Sequence, residues 1–268
     1  MTEESTPDSN DAETAVPFRV ERDFENDTEK RPAFYAARAG GWRDWWTLLH
    51  PPYTAWHLGY IVIGACLAPT VNLTRLVATL LAFFCAVGLA AHSLDELNGR
   101  PLGTHIPGGA LIAVTVIGLA AAVALGIAGV SRVGWALVPL LVLGPILVVG
   151  YNLELFGGLI HNDAGFALAW GSFPVLVAYV AQTGRLAISP VVAAAAAFAL
   201  SAAQRQLSTP ARLIRRRTTA VEGHITLATG DVVPIDHRTL LAPLERALHA
   251  LSWAVVVLAA SLAVARLG

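Results

Sequence analysis

From residue 54 onward the chain alternates long apolar runs with short polar breaks, and this pattern predicts most of its architecture. A helix needs about 20 apolar residues to cross roughly 30 Å of hydrocarbon. Runs of that kind occur at 54–72, 73–94, 109–130, 133–152, 164–184, 189–204 and 247–267, which predicts seven spans. The sixth is short and Ala-rich, so a partly re-entrant segment is an alternative for it. Before the first span, residues 31–53 are amphipathic and aromatic. Trp42, Trp45 and Trp46 stand beside Arg43 and are followed by Pro51-Pro52, as expected of a helix anchored at headgroup level. Residues 205–246 form the only sizeable polar insert after the tail. Within it His224-Ile-Thr-Leu alternates, Thr229-Gly230-Asp231 can turn, and Val232 to Ile235 runs back, a hairpin pattern.

Composition changes the picture in one respect, the solvent. The 268 residues are 55% hydrophobic and only 14% charged, against roughly 25% charged in soluble domains. One compact core cannot hide so much apolar surface, and the fold class expected is an all-α polytopic transmembrane helical bundle. The net charge of −1 conceals an uneven distribution. Residues 1–30 hold ten of the 19 acidic residues and no apolar stretch resembling a signal peptide, which reads as a solvated, disordered tail. With the amino terminus in the cytoplasm, Lys30 and thirteen arginines fall inside and only Arg75, Arg132, Arg185 and Arg266 outside. The positive-inside rule therefore orients the chain in the cell membrane with a cytoplasmic amino terminus. Cys66 and Cys85 lie within apolar runs and read as small buried hydrophobes. Nothing in the pattern points to nucleic acid.

Candidate chemistry is sparse and therefore conspicuous. Between residues 46 and 221 the only acidic residues are Asp95, Glu96, Glu154 and Asp163, two in each of two interhelical loops on the expected cytoplasmic side. His92, Asn98 and His105 accompany the first pair, and Asn152, His161 and Asn162 the second. Ionisable groups at membrane depth are costly and mark pockets or pathways. Hard oxygen ligands suit Mg²⁺ shared between carboxylates and a substrate's phosphates. His92, Asp95 and Glu96 stand at i, i+3 and i+4, which puts them on one helix face. Two other readings stay open. The carboxylates can be merely solvated or paired with a neighbour such as Arg100, and His92, Glu154 and His161 can form a transition-metal site.

Three stretches resemble the UbiA superfamily of intramembrane prenyltransferases, the last most like its menaquinone-pathway branch. They are Trp46-Thr-Leu-Leu-His-Pro-Pro-Tyr-Thr54, Ala91-His-Ser-Leu-Asp-Glu-Leu-Asn-Gly-Arg-Pro-Leu102, and Tyr151-Asn-Leu-Glu-Leu-Phe-Gly-Gly-Leu159 leading through Trp170-Gly171 and Pro174 to Tyr179-Val-Ala-Gln-Thr-Gly184. The resemblance covers about 46–204. It implies a helical bundle whose cavity opens to lipid and holds a polyprenyl diphosphate, the Mg²⁺-bound head lying under cytoplasmic loops. Ionisation of the allylic diphosphate would then alkylate a lipid-soluble acceptor. Cations stabilise the departing charge while a dry cavity protects the carbocation-like species. Carried over by position, Asp95 matches the central Asp of the family's first Asp-rich motif, His92 stands where its first Asp would be, and Gly99 where its last would be. Asp95, Glu96 and His92 are then the catalytic candidates, with Glu154 and Asp163 joining Asp95 and Glu96 as metal ligands. Arg100, Tyr151, Asn152, Arg205 and Arg212 are the candidates for holding substrate phosphate.

One departure from the family pattern is large. The second Asp-rich motif should close the sixth span, but Ala202-Ala-Gln-Arg-Gln-Leu-Ser-Thr-Pro-Ala-Arg212 contains no carboxylate. Arg205, Arg212 and the run Arg215-Arg216-Arg217 could bind diphosphate directly, since guanidinium groups pair bidentately with phosphate oxygens. They could equally be a positive-inside anchor on anionic lipid. The alternative function is a non-catalytic isoprenoid-binding protein of the same fold, with residues 205–246 docking a protein partner.

Overall fold

The computed structural model describes residues 31–268; the acidic segment 1–30 lies outside the described residues. The chain is an all-α bundle with one small hairpin. A short helix α1 (Trp42–Leu48) precedes α2 (Pro51–Cys66), which starts on two prolines suited to a first helical turn. Then follow α3 (Leu73–Leu97), α4 (Gly108–Val133), α5 (Trp135–Asn152), α6 (Asp163–Thr183), α7 (Ile188–Arg217) and α8 (His237–Leu267). These last six are long and apolar enough to cross a membrane. The protein is thus a multi-pass membrane protein. Their outer faces carry Ile112, Val116, Ile117, Val142, Trp253 and Val257 in exposed positions, as a bilayer solvent requires.

Caps set the helix starts. Asn72 accepts the Arg75 amide at 3.0 Å to open α3, and Asn162 accepts the Gly165 amide at 2.8 Å to open α6. Asp236 and Thr239 form a reciprocal capping box at the start of α8. Two helices contain π-helical turns, Phe84–Ala91 within α3 and Leu168–Ser172 within α6. Close crossings use missing side chains. A Cβ on Gly64 would strike the Val175 carbonyl, and one on Gly171 would strike Ala197 and Ser201, so α2, α6 and α7 approach backbone to backbone. Trp56, Tyr60, Val175, Ala197 and Val255 form one core where α2, α6, α7 and α8 meet. Val87, Leu94, Val148, Tyr151 and Trp170 form another among α3, α5 and α6.

Four boundaries differ from the hydropathy reading. The first run, expected to span at 54–72, is the 16-residue α2, which starts at Pro51, stops at Cys66 and is shorter than the six helices long enough to cross, so six such helices stand where seven were expected among the described residues. The sixth is not re-entrant; it is a continuous 30-residue helix that runs through the arginines to Arg217. The polar insert therefore shrinks to 218–236. It contains antiparallel β1 (Gly223–Thr226) and β2 (Val232–Ile235), with Gly223 opposite Ile235 and Thr226 opposite Val232. Finally, residues 31–41 do not continue an interfacial helix but fold back onto the bundle. Ala36 and Leu48 are buried while Trp42 and Trp46 stay exposed. Asp44 ties this segment down, accepting from the amides of Gly40 at 2.8 Å and His105 at 3.0 Å. Burial pushes the Asp44 carboxyl up, but those amides and the His105 imidazole outweigh it and hold it below its ordinary value.

Candidate functional site

The ends of α2 to α8 that carry residues 31–57, 91–108, 151–166 and 204–248 enclose a polar cavity of about 390 Å³. Each wall comes from a different helix. The helix α7 supplies Gln204, Arg205, Ser208, Arg212 and Arg216, whose spacing keeps them on one side. From α3 come His92 and Asp95, from α2 Tyr53 and His57, and from α5 Tyr151 and Asn152, while the folded-back segment adds Phe34 and Tyr35.

Charge in this cavity is predominantly cationic. Among the described residues Arg212 donates only to Thr209, its own helix neighbour, at 3.3 Å. Arg216 donates to the Pro32 carbonyl at 3.0 Å and so ties the 31–41 segment to α7. Both arginines line the same cavity as Asp95. Arg205 donates to Asp163 at 3.0 Å and lies 5.5 Å from the centre of the Phe166 ring. Arg215 forks onto Glu245, one of its two bonds measuring 2.7 Å, and that pair closes the side toward α8.

Polar rings line the same cavity as the arginines. His50 and His92 stack with centroids 4.3 Å apart at 14°, and the Tyr35 hydroxyl is hydrogen-bonded to His50 Nδ1 at 2.8 Å. Burial lowers the His50 imidazole well below its ordinary value, reinforced by His92, Arg216 and Arg212, so the ring is neutral. Burial likewise keeps Tyr35 protonated. His57 Nδ1 lies 2.9 Å from the Trp170 carbonyl, which can only accept, so Nδ1 carries the proton and Nε2 is a free acceptor. Tyr151 stacks on His161 at 4.5 Å, and His161 Nδ1 in turn bonds the Tyr151 carbonyl. Four buried atoms in this cavity have no hydrogen-bond partner among the described residues: His50 Nε2, His92 Nδ1, the Tyr151 hydroxyl and Gln204 Oε1. Each unsatisfied group costs about 1–3 kcal/mol, so their concentration in one cavity points to something that completes them.

The ten candidate residues from the sequence separate on this geometry. His92, Asp95, Tyr151, Asn152, Glu154, Arg205 and Arg212 line the cavity. Glu96 does not share the face of His92 and Asp95. It is fully buried, and its carboxylate accepts from the amides of Leu102 and Thr104 and from the Thr104 hydroxyl at 2.8–2.9 Å, which fastens the α3–α4 loop. Arg100 is also turned into that loop, donating to the carbonyls of Thr104 and Ile106. Asp163 is engaged by Arg205 at the surface. Glu154 is more than half exposed at the rim, 3.9 Å from His161. Sequence reasoning passed over Tyr35, His50, Tyr53, His57 and Gln204. The available signal was a polar residue inside an apolar run, as at His57 and Gln204.

Mg²⁺ held by the protein requires several oxygen ligands converging on one point. Of the three carboxylates lining the cavity, Glu245 is held by Arg215 and Glu154 is mostly exposed, which leaves Asp95, and among the described residues no three His, Cys, Asp or Glu side chains come together as a metal site. The donor set does not fit a carboxylate cage, and the grouping of His92 with Glu154 and His161 does not form one either.

A second cavity, about 690 Å³ and apolar, runs between α3, α4, α5 and α6. Ala82, Phe83, Leu119, Gly126, Leu141 and Phe173 are among its walls, and Arg75 and Arg132 sit at its far end. Val87 and Trp170 line both cavities, so the apolar one begins where the polar one stops. Comparison of the chain with protein-family models, curated proteins and solved structures finds no match.

Proposed function

We propose that this protein binds a polyprenyl diphosphate within the membrane and transfers its prenyl chain to a lipid-soluble acceptor, in the manner of the UbiA superfamily it resembles. The observation that carries this reading is the junction at Val87 and Trp170, where an arginine-lined polar cavity meets a long apolar one. An amphiphile with an anionic phosphate head and an extended hydrocarbon tail matches both halves at once. The arginines described at the polar end, against only Arg75, Arg132, Arg185 and Arg266 at the other, support a cytoplasmic head-group site in the cell membrane.

In this reading Arg205, Arg212 and Arg216 stabilise the charge that develops as the allylic C1–O bond breaks and its electron pair leaves with the diphosphate. An electron pair of the acceptor forms the new bond to C1, and the proton it releases passes to His57 Nε2. Trp170, Phe166 and Val87 keep water from the cation. The test is consumption of labelled geranylgeranyl diphosphate by the purified protein in a lipid extract supplying acceptors. A labelled lipid product supports transfer. Binding without product supports the second reading, a non-catalytic isoprenoid-phosphate carrier, which the engagement of Glu96 and Asp163 by the protein's own groups favours. Failure to bind removes both.

A further inference from the structure

The first Asp-rich motif keeps one carboxylate in the cavity and the second keeps none, yet the cavity is not short of groups for an anion. Its arginines outnumber its carboxylates. Arg212 and Arg216 project from one side of α7, and Tyr151, whose buried hydroxyl has no partner among the described residues, lines the same cavity from α5. When the Tyr35 hydroxyl donates to His50 Nδ1, the single proton of that neutral ring sits on Nε2, the atom that also lacks a partner. Two guanidinium groups, a phenol and an imidazole N–H therefore converge on one space, all of them donors. The ring of His92, at the position where the resemblance places a metal-binding Asp, stacks on His50, and its buried Nδ1 has no hydrogen-bond partner among the described residues.

We infer that this cavity recognises the diphosphate head through Arg212, Arg216, Tyr151 and His50 directly, with no requirement for a divalent cation between protein and phosphate. The inference rests on the polyprenyl diphosphate reading and specifies how the head is held. It assigns Asp95 a role opposite to that of a metal ligand. Asp95 lines the same cavity as Arg212 and Arg216, and an incoming phosphate takes its place as the anion balancing them. Guanidinium groups suit this exchange because they offer planar pairs of donors to phosphate oxygens and are weakly hydrated.

The experiment is equilibrium binding of tritiated geranylgeranyl diphosphate to the full-length protein in detergent, in excess EDTA and in millimolar Mg²⁺. Similar dissociation constants in both conditions support the inference. Arg212→Gln should weaken binding roughly tenfold to a hundredfold in either condition, as expected for a lost charge-assisted contact. Asp95→Asn supplies the sign. A direct arginine site binds equally well or tighter once the competing carboxylate is neutralised, whereas a metal site loses its ligand and its affinity. Binding that EDTA abolishes, Mg²⁺ restores and Asp95→Asn eliminates overturns the inference and leaves the polyprenyl diphosphate reading intact. No binding by the unmodified protein in either condition overturns both. Because Asp95→Asn is isosteric and its folding is checked by melting, the sign stays readable even where Arg212→Gln fails to fold.

Discussion

The two ends of the bundle use the same residue types in opposite ways. At the end away from the polar cavity, Arg75 donates to the carbonyls of Gln182 and Arg132 at 2.7 and 2.8 Å, and Arg266 donates to those of Ala68 and Pro69. Asn72 and Gln182 exchange hydrogen bonds across α3 and α6. There, cations and amides cap carbonyls that helix ends leave open. At the cavity end, among the described residues, Arg212 has only Thr209 as a hydrogen-bond partner, and buried atoms of His50, His92, Tyr151 and Gln204 have none. An arginine in a membrane protein therefore says little about function until its donors are followed to their acceptors. The far end is built for stability, and the near end holds hydrogen-bonding capacity in reserve.

This contrast breaks if substitutions at engaged groups change binding, or if substitutions at unengaged groups change stability. The largest expected effect is at Glu96. Glu96→Ala leaves three buried donors without an acceptor and should cost about 3–5 kcal/mol, read as a large fall in melting temperature in detergent. Next comes Arg75→Ala, expected to cost about 1–2 kcal/mol of stability while leaving geranylgeranyl diphosphate affinity unchanged. A change in affinity there would mean that the far end serves the ligand after all. Smaller still, and opposite in kind, Tyr151→Phe should leave melting within about 0.5 kcal/mol of the parent, because its hydroxyl bonds nothing in the protein, and weaken ligand binding roughly fivefold. The smallest is acid sensitivity at Asp44. Its folded value is depressed, so its contribution is fully present above the usual carboxylate value of 3.8 and is lost as pH falls through the depressed one. Parent and Asp44→Asn melting curves should therefore differ at neutral pH and converge in acid.

Much of the bundle was legible because bilayer burial imposes a long, simple pattern. The runs at 109–130 and 133–152 differ from α4 and α5 by only a few residues. What hydropathy cannot see is a helix that leaves the apolar region and continues. Arg205 to Arg217 are polar, yet α7 persists through them, supported by packing of Leu207, Ala211 and Ile214 against Leu241, Leu244 and Leu248 of α8. The 31–41 segment was misread for a related reason. Its aromatic residues suit a membrane surface as well as an interior, and only the pairing of Phe34 with Tyr53 and of Tyr35 with His50 decides between them. In the site, Asp95 and His92 stood out as polar residues closing an apolar run. Glu96 was equally conspicuous, and its engagement by Leu102 and Thr104 depends on a loop whose path no spacing rule gives.

The π-helical turn Phe84–Ala91 in α3 has a consequence for how this chain can diverge. A π-helical turn closes on the fifth residue where an α-helical turn closes on the fourth, so it holds one residue more, and removing one residue there restores a regular α-helix while Asp95 and Glu96 keep their directions. Successive residues of an α-helix point about 100° apart, so the same deletion made after Ala91 rotates Glu96 into the direction of Asp95 and unfastens the α3–α4 loop. One codon lost is thus silent in one turn and exchanges the acid of the site in the next. Motif spacing counted across such a turn measures distance without measuring phase, and a relative with a one-residue gap inside it would present the same letters to the same neighbours.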